Sequence, residues 1–123
     1  MKLSIVTVCY NAEQCIDRTI KSVLNQTCPV YEYIIIDGGS KDKTYNRVCS
    51  YEKSFAEKGI LFKHISERDK GISDAFNKGI KMASGTLIGL INADDELLPE
   101  TSEILKMNVK NRCGYILWEL LLG

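Results

Sequence analysis

The sequence predicts an α/β protein with a mostly parallel, twisted sheet that carries helices on both faces. Apolar, β-branched runs alternate with segments of helical periodicity four times along the chain. The predicted strands are apolar throughout, which is typical of strands that are covered on both sides. Crossover connections between parallel strands are right-handed, so the strand order is restricted to Rossmann-like arrangements.

The first two strand–helix units lie in the N-terminal half of the chain. LSIVTVC at 3–9 predicts a buried strand, and Asn11 is expected to cap the next helix, with Gln14 at the capping-box position. YEYIIID at 31–37 predicts the second strand. The turn GGSKDK follows it, and a single helix is expected to end near Gly59.

The last two units lie in the C-terminal half. ILFKHIS at 60–66 predicts a third, weaker strand, and the segment 73–85 predicts a helix that starts at a serine and ends at a glycine. TLIGLIN at 86–92 predicts the fourth strand. Pro99 suits the first turn of a helix that is expected to continue to about residue 110.

Composition excludes several classes of function. The 123 residues suffice for one domain over 1–123, and sixteen basic residues balance sixteen acidic ones, which gives no reason to expect nucleic acid as a partner. No apolar run approaches the ~20 residues of a membrane span. Five cysteines without metal-ligand spacing predict free thiols. His64 is the only histidine, which gives little basis for a histidine metal site or a Ser-His-Asp triad. With no signal peptide after Met1, we expect a cytoplasmic protein, with the inner face of the membrane as the second choice.

Polar residues follow the predicted strands at the point where each strand ends. In an open parallel sheet, ligands bind in the crevice beyond the carboxyl ends of the strands, which all lie at one edge. The N-terminal strand ends show no such cluster. The residues expected at the carboxyl edge are Tyr10, Asn11, Asp37, residues 67–70, Asn92, Asp94 and Asp95.

Several of the candidate residues also have a simpler structural explanation. Asp37 precedes two glycines and could serve only the turn, whereas Tyr10 could pack against its neighbours. Asp94 and Asp95 could be a solvated approach to the following helix, whose positive end favours acidic residues. Asn77 is most simply an exposed polar residue. Only the convergence of four segments on one edge favours a site.

The known phosphate-binding loops are absent from the sequence. CYNAEQC stands where a GxGxxG loop would follow the first strand, and no GxxxxGK[ST] loop occurs. A diphosphate would therefore be held by other means. Mg²⁺ and Mn²⁺ prefer oxygen ligands and accept substrate phosphates among them, so a carboxylate-bound divalent cation is the expected device.

Five segments in register resemble the family-2 glycosyltransferases of the GT-A fold. They are SIVTVCYN, IKSVLNQT, YEYIIIDGGSKDKT, DKGISDAFNKGIKMASG and LIGLINADDELLP, and together they cover about residues 3 to 110. The resemblance implies an inverting transferase that uses a nucleoside-diphosphate sugar, usually a UDP-sugar, with Mn²⁺ or Mg²⁺. It further implies a glycan or lipid-linked acceptor and a setting in polysaccharide synthesis.

The resemblance also assigns roles to residues of the predicted edge. Tyr10 looks like the residue that stacks on the nucleobase, with Asn11 beside it in the nucleotide site. Asp37 looks like the carboxylate that accepts a hydrogen bond from the N–H of the base. The segment 92–95 is similar to the DxD-type element, in which Asp95 is the first choice as metal ligand. Asp94 is the second choice and also faces the ribose.

Two departures from the family pattern affect the nucleotide site. Lys41 and Lys43 replace the usual Thr and Gly in the turn after the second strand. Many family members carry an Arg before the Asn of the third helix, where this chain has Phe76 before Asn77. Asn77 remains a candidate nucleotide contact, and Lys70 is the candidate for the missing positive charge.

The largest departure is that the general base of the family is not identifiable. The later acidic residues, Glu96, Glu100, Glu103 and Glu119, do not match its context. The resemblance therefore implies the nucleotide-binding half of a transferase without the acceptor-binding half, and the alternative is a non-catalytic module that binds nucleotide-sugar. YILWELLLG at 115–123 is expected to supply the next strand, with an unpaired edge through which the chain could self-associate.

Overall fold

The computed structural model describes residues 2–109, which form a parallel sheet with helices on both faces. The four strands are β1 (Leu3–Cys9), β2 (Glu32–Asp37), β3 (Leu61–Ser66) and β4 (Leu87–Asn92). The helices of this part of the chain are α1 (Ile16–Leu24), α2 (Thr44–Cys49), α3 (Glu52–Glu57), α4 (Ile72–Met82) and α5 (Thr101–Val109). The predicted α/β class and the positions of all four strands are confirmed.

The strands have the order β3-β2-β1-β4, and every pair is parallel. The chain adds β2 and β3 on one side of β1 and then returns to place β4 on the other side. This reversal opens a crevice beyond the carboxyl ends of β1 and β4, the position at which open α/β sheets bind ligands. The register pairs Val8 of β1 with Asn92 of β4 and Cys9 of β1 with Asp37 of β2, so the polar residues that end β4 and β2 lie on either side of the end of β1.

Two apolar layers hold the helices against the sheet. On one face α4 packs on β1 and β2, and the buried side chains include Val6, Ile34 and Ala75. A Cβ atom at Gly79 of α4 would lie only 2.2 Å from the Cγ1 atom of Val6, so this helix can approach the sheet only with glycine there. The other face packs against α1, α2 and α3 through a larger cluster that includes Phe55.

The predicted helix that ends near Gly59 is two short helices in the structure. α2 ends at Cys49, and α3 begins at Glu52 after a break of two residues. A side chain of α2 and a side chain of the break itself bond to the same residue of α1: Arg47 lies 2.6 Å from Asp17, and the Tyr51 hydroxyl lies 2.7 Å from it. These two contacts fix the direction of the chain where periodicity alone predicted a continuous helix.

The N-terminal edge of the sheet carries a polar network that the sequence analysis did not predict. Glu32 is fully buried, and its carboxylate lies 2.6 Å from the Lys63 ammonium group. The carboxylate also accepts hydrogen bonds from the Ser4 hydroxyl at 2.7 Å and from the Ser84 backbone N–H at 2.8 Å. The expectation of no polar cluster at this edge is therefore wrong, because strand pairing brings these separate residues to one carboxylate.

The strand predicted at 115–123 and its unpaired edge lie outside the described residues, as does Cys113. Within residues 2–109, β3 and β4 are the outer strands of the sheet. Cys9, Cys15 and Cys49 are free thiols, as predicted. None of the helices described is both long enough and apolar enough to pass through a bilayer.

Candidate functional site

A cleft of about 520 Å³ lies beyond the carboxyl ends of β1 and β4. We refer to it as the Asp94 cleft. Its lining includes Tyr10, Asn11, Asp69, Ile72, Asn92 and Asp94. The cleft therefore occupies the crevice where the strand order reverses, and it combines an aromatic ring with carboxylates from two different loops.

A second cleft of about 400 Å³ lies beyond the end of β2. We refer to it as the Gly38 cleft, and its lining residues are Tyr10, Gly38, Gly39, Lys41, Arg68 and Asp69. Tyr10 and Asp69 line both clefts, so the two cavities adjoin at these side chains. The Tyr10 side chain is 55% exposed, which leaves its ring accessible to a ligand.

The turn that carries Tyr10 is fixed to the loop after β2 by hydrogen bonds. Asn11 has a φ of 47°, and its backbone N–H donates to the Ser40 hydroxyl at 2.8 Å. Its side-chain oxygen accepts from the Lys41 N–H at 2.8 Å. The expectation that Asn11 caps α1 is wrong, because these contacts hold it in the turn and α1 begins at Ile16 without a side-chain cap. Asn11 instead positions the ring of its neighbour.

Asp37 ends β2 with its side chain fully buried. Its Oδ2 atom accepts hydrogen bonds from the Ser40 N–H at 2.9 Å and from the Ser66 hydroxyl at 2.6 Å. Its Oδ1 atom accepts from the Ser40 hydroxyl and from the Cys9 thiol, the latter at 3.4 Å. Burial, followed by the nearby Asp37 carboxylate, raises the pKa of the Cys9 thiol. Asp37 thus holds together the ends of three strands.

The acidic turn after β4 presents its two aspartates differently. Asp94 is exposed and lines the Asp94 cleft, whereas Asp95 is half-buried. The Oδ2 atom of Asp95 accepts a hydrogen bond from the Asn92 backbone N–H at 3.0 Å, which closes the turn. The buried Thr19 hydroxyl of α1 also contacts this turn, bonding to the Ala93 carbonyl and, at 2.7 Å, to the Asp95 carbonyl.

The donor set of the acidic turn fits a divalent cation shared with a phosphate ligand. Asp94 and Asn92 offer hard oxygen atoms at the cleft, and one oxygen of Asp95 is already used within the turn. Mg²⁺ and Mn²⁺ sites of this kind use one or two protein carboxylates and complete their coordination with substrate phosphates and water. The residues present are therefore suited to a cation that binds together with a diphosphate.

Four predicted site residues do not line either cleft: Asp37, Lys70, Asn77 and Asp95. Lys70 and Asn77 are exposed and line neither cavity. The backbone N–H of Lys70 donates to Asp74 at 2.9 Å. Asp69, the residue before Lys70, lines both clefts instead. The sequence placed Asp69 and Lys70 in the loop after β3. A loop has no periodic pattern, so the sequence does not show which of its side chains enters a cavity.

A second group of metal-type side chains lies at the edge of the sheet. Cys49, Glu52 and His64 have ligand atoms within 4.8 Å of one another. The His64 Nε2 atom lies 2.7 Å from Glu52, and its Nδ1 atom lies 2.7 Å from the Tyr45 hydroxyl. Both ring nitrogens therefore have protein partners, and the group fixes β3 to α2 and α3.

The fold and the site define an α/β domain with a ligand crevice at a topological switch point, the arrangement of nucleotide-binding domains. Comparison with known proteins identifies the protein family. The chain belongs to glycosyl transferase family 2, whose family model matches residues 4–116.

Known relatives and solved structures agree with this assignment. The chain is 31% identical to a PGL/p-HBAD biosynthesis glycosyltransferase of Mycobacterium bovis over 94 residues, which cover 76% of this chain and 36% of the relative. It is 33% identical over 120 residues to the uncharacterized glycosyltransferase EpsJ of Bacillus subtilis, with coverage of 92% and 33%. The chain thus spans about a third of the length of these relatives.

Two solved structures share the fold. S. aureus TarS in complex with UDP-GlcNAc matches with a TM-score of 0.80 and 24% identity, over 89% of this chain and 31% of that chain. The mannosyltransferase PcManGT from Pyrobaculum calidifontis, in complex with GDP-Man and Mn²⁺, matches with a TM-score of 0.73 and 19% identity, over 82% and 30%. The predicted GT-A fold is confirmed.

Proposed function

We propose that the two clefts bind a UDP-sugar and that this chain is the donor-binding part of an inverting, metal-assisted glycosyltransferase. The observation that carries the proposal is the position of Tyr10, whose ring lines both the Gly38 cleft and the Asp94 cleft. An extended ligand can therefore place an aromatic base on one side of this ring and a charged group near Asp94. The proposed acceptor is a glycan or lipid-linked molecule in polysaccharide synthesis.

The Gly38 cleft suits the nucleobase. Tyr10 offers an exposed ring on which a base can stack, and the glycines of the floor let the base approach the backbone closely. Lys41 and Arg68 contribute positive charge to the lining. The match to a TarS structure that contains UDP-GlcNAc supports a uridine nucleotide.

The Asp94 cleft suits the diphosphate and the sugar. Asp94 and Asn92 are proposed to hold the cation at the acidic turn, with Asp95 as a further ligand through its second oxygen. When bound, Mn²⁺ or Mg²⁺ stabilises the negative charge that develops on the departing nucleoside diphosphate. The residues of the chain hold the leaving group in one orientation, since the turn is fixed through Thr19 and Asn92.

Asp94 and Asp95 differ in how accessible their carboxylates are to a metal ion. The family resemblance ranks Asp95 first, but Asp95 is half-buried and bonded to the backbone of Asn92 at 3.0 Å. Asp94 has the more accessible carboxylate, so we propose it as the principal metal ligand. Asp95 then contributes chiefly to the shape of the turn.

Calorimetry with UDP in the presence and absence of Mn²⁺ tests the proposal. We expect Mn²⁺ to tighten UDP binding by at least about tenfold, which corresponds to about 1.4 kcal/mol. Asp94→Asn should remove most of that gain and leave the metal-free affinity almost unchanged. Asp95→Asn should reduce the gain by less. Equal affinity with and without Mn²⁺ in the wild-type protein would contradict the metal site.

Glu96→Gln is the matched control for the two aspartate variants. Glu96 follows them directly, lies 3.6 Å from Arg18, and does not line the Asp94 cleft. Its neutralisation removes the same charge from the same turn. We expect it to retain the full gain from Mn²⁺, which would separate loss of a ligand from loss of charge.

A further inference from the structure

We propose that Cys49, Glu52 and His64 form a second metal site, which takes Zn²⁺ and joins β3 to α2 and α3. The inference is independent of the proposed function, because none of these three residues lines the Asp94 cleft or the Gly38 cleft. The site lies beside β3, an outer strand of the described sheet, whereas the Asp94 cleft lies beyond β1 and β4.

The three side chains come from three different elements. Cys49 ends α2, Glu52 begins α3 and His64 lies within β3. The two residues of the break keep near-helical dihedral angles, so Cys49 and Glu52, three positions apart, face the same side of the chain. One ligand atom from each of the three residues lies within 4.8 Å of the other two. The fold thus brings a sulfur, an oxygen and a nitrogen donor together.

These separations suit a single cation after small movements. Zn²⁺ lies about 2.0–2.3 Å from nitrogen, oxygen and sulfur ligands, so ligand atoms of a tetrahedral site are about 3.4–3.6 Å apart. The His64 Nε2 atom and the Glu52 carboxylate are 2.7 Å apart. Their separation would need to grow by less than about 1 Å to admit the ion. The Glu52 side chain is 61% exposed, so it can make this adjustment without disturbing the core.

The imidazole of His64 is held in place by its neighbours. Its Nδ1 atom lies 2.7 Å from the Tyr45 hydroxyl, and its ring centroid is 5.2 Å from that of Phe62. Burial, followed by the nearby Cys49 thiol, raises the pKa of the Tyr45 hydroxyl. A cation bound at one ring nitrogen replaces one of the two polar contacts of the imidazole. The contact at the other nitrogen orients the ring, as in most histidine metal sites.

The donor set selects zinc over the cations proposed for the acidic turn. Zn²⁺ accepts thiolate, imidazole and carboxylate ligands, whereas Mg²⁺ and Mn²⁺ prefer oxygen alone, and Mn²⁺ binds mixed sites of this kind far more weakly than Zn²⁺. Three protein ligands leave a fourth position for water. A cavity of about 480 Å³, which Glu52 and His64 help to line, gives the ion and this water a path from solvent.

The test adds Co²⁺, a spectroscopic substitute for Zn²⁺, to reduced, metal-free protein. We expect a thiolate-to-cobalt charge-transfer band and intense visible bands of tetrahedral Co²⁺, both of which equimolar Zn²⁺ should abolish. Cys49→Ser should lose the charge-transfer band, and Glu52→Gln should bind Co²⁺ at least about tenfold more weakly. Wild-type protein without the charge-transfer band, or Cys49→Ser with the full band, would overturn the inference.

The chain offers a matched control for each variant. Cys15 is another half-buried free thiol, and Glu57 belongs to the same helix as Glu52, with a side chain that is 66% exposed. Cys15→Ser and Glu57→Gln should both keep the wild-type bands and the wild-type affinity for Co²⁺. An equal loss in the controls would mean that thiols or acidic residues bind the ion without a defined site, which would also overturn the inference.

Thermal melting measures whether the ion stabilises the fold. A ligand that binds only the folded chain raises the melting temperature. Zn²⁺ should therefore raise the Tm of the wild type and of Glu57→Gln, with little effect on Glu52→Gln. An equal rise in Glu52→Gln and Glu57→Gln would contradict the assignment of Glu52 as a ligand. Neither measurement involves UDP, so both results are independent of the proposed function.

Discussion

Tyr10 is the residue on which the proposed nucleotide site depends most directly. Its side chain follows the buried strand β1, where the outward turn of the chain leaves the ring 55% exposed. A large aromatic ring that is exposed where two cavities adjoin contributes little to the packing of the hydrophobic core. The hydrogen bonds of Asn11 to Ser40 and Lys41 fix the turn that presents this ring.

Replacement of Tyr10 should therefore affect binding and leave stability nearly unchanged. Tyr10→Ala should weaken UDP binding by about 1–3 kcal/mol, the range observed when a base loses its aromatic partner. Tyr10→Phe keeps the ring and should bind UDP nearly as well as the wild type. Calorimetry measures the affinities, and thermal melting checks the fold. An unchanged affinity in Tyr10→Ala would show that the ring only packs against its neighbours.

At this scale the sequence predicted which strand ends carry the site, but not every side chain within it. Tyr10, Asn92 and Asp94 follow strands directly, so the strand pattern locates them. Asp69 and Lys70 are adjacent in a loop, and in the folded loop the Asp69 carboxylate accepts a hydrogen bond from the Gly71 N–H and lines both clefts. Such a contact depends on the folded loop and leaves no periodic signal.

Helix α1 and the segment that directly follows it position the acidic turn through polar side chains. Thr19 bonds to the carbonyls of Ala93 and Asp95. Ser22 accepts the Leu97 N–H at 3.0 Å, and the Gln26 side chain donates to the Leu98 carbonyl at 2.8 Å. Thr19 and Ser22 are three residues apart and therefore lie on one side of α1, and Gln26 follows the C-terminal end of the helix. α1 thus supports the segment that carries Asp94 although it lies outside the cleft.

Thr19 is therefore predicted to affect both stability and the metal-dependent part of binding. Thr19→Val keeps the shape but leaves two carbonyls without their donor, which should lower the free energy of unfolding by about 1–3 kcal/mol. It should also reduce the gain in UDP affinity from Mn²⁺ more than the metal-free affinity. Thr19→Ser restores the hydroxyl and should recover most of both properties. Chemical denaturation and calorimetry make the comparison.

If Thr19→Val lowered stability and left the gain from Mn²⁺ untouched, Thr19 would have a structural role only. The serine variant is essential here because it keeps the hydroxyl donor and loses the methyl group of Thr19, whereas the valine variant keeps the methyl group and loses the donor. Equal behaviour of the two variants would mean that packing, and not the hydroxyl, accounts for the effect.

At the scale of elements, strands were easier to predict than helix boundaries. β1 and β2 consist of fully buried residues, so their apolar runs indicate them directly. The division between α2 and α3 depends on Arg47 and Tyr51, which both contact Asp17. Contacts between residues that are distant in the sequence override local periodicity. Such contacts cannot be predicted from a single sequence, so the division of this helix could not be predicted.

The molecule as a whole is held at its N-terminal edge by the buried carboxylate of Glu32. This residue of β2 contacts Ser4 of β1, Lys63 of β3 and Ser84, which precedes β4. Burial opposes the charged form of Glu32, but hydrogen bonds from Lys63, Ser84 and Ser4 outweigh this effect and lower the pKa of the carboxyl group. The network thus stabilises the fold while Glu32 is ionised.

The stability of the protein should consequently depend on pH in the acidic range. The pKa of Glu32 is lower in the folded state than its ordinary value of 4.5, so its contribution is complete above that value. The contribution should disappear as the pH falls through the lowered pKa. Urea denaturation should therefore show a large stability difference between wild type and Glu32→Gln at neutral pH and a smaller one near pH 3. A constant difference would contradict this assignment.

The whole arrangement places the binding groups at one edge of the sheet and the stabilising network at the other. The strand order β3-β2-β1-β4 brings Tyr10, Asp69 and Asp94 from three loops to the carboxyl edge. The sequence restricts the possible strand orders, because parallel strands with right-handed crossovers allow few topologies. The central claim is that this edge binds a nucleoside diphosphate together with a divalent cation.

The most direct test is paramagnetic broadening of backbone amide signals by Mn²⁺ in protein saturated with UDP. We expect selective loss of the signals of residues 92–95 and of Tyr10 and Asn11, and no such loss before UDP is added. The signals of Glu52 and His64, which belong to the separate group at the sheet edge, should persist. Broadening around Glu52 and His64 instead, or the same pattern with and without UDP, would contradict the account.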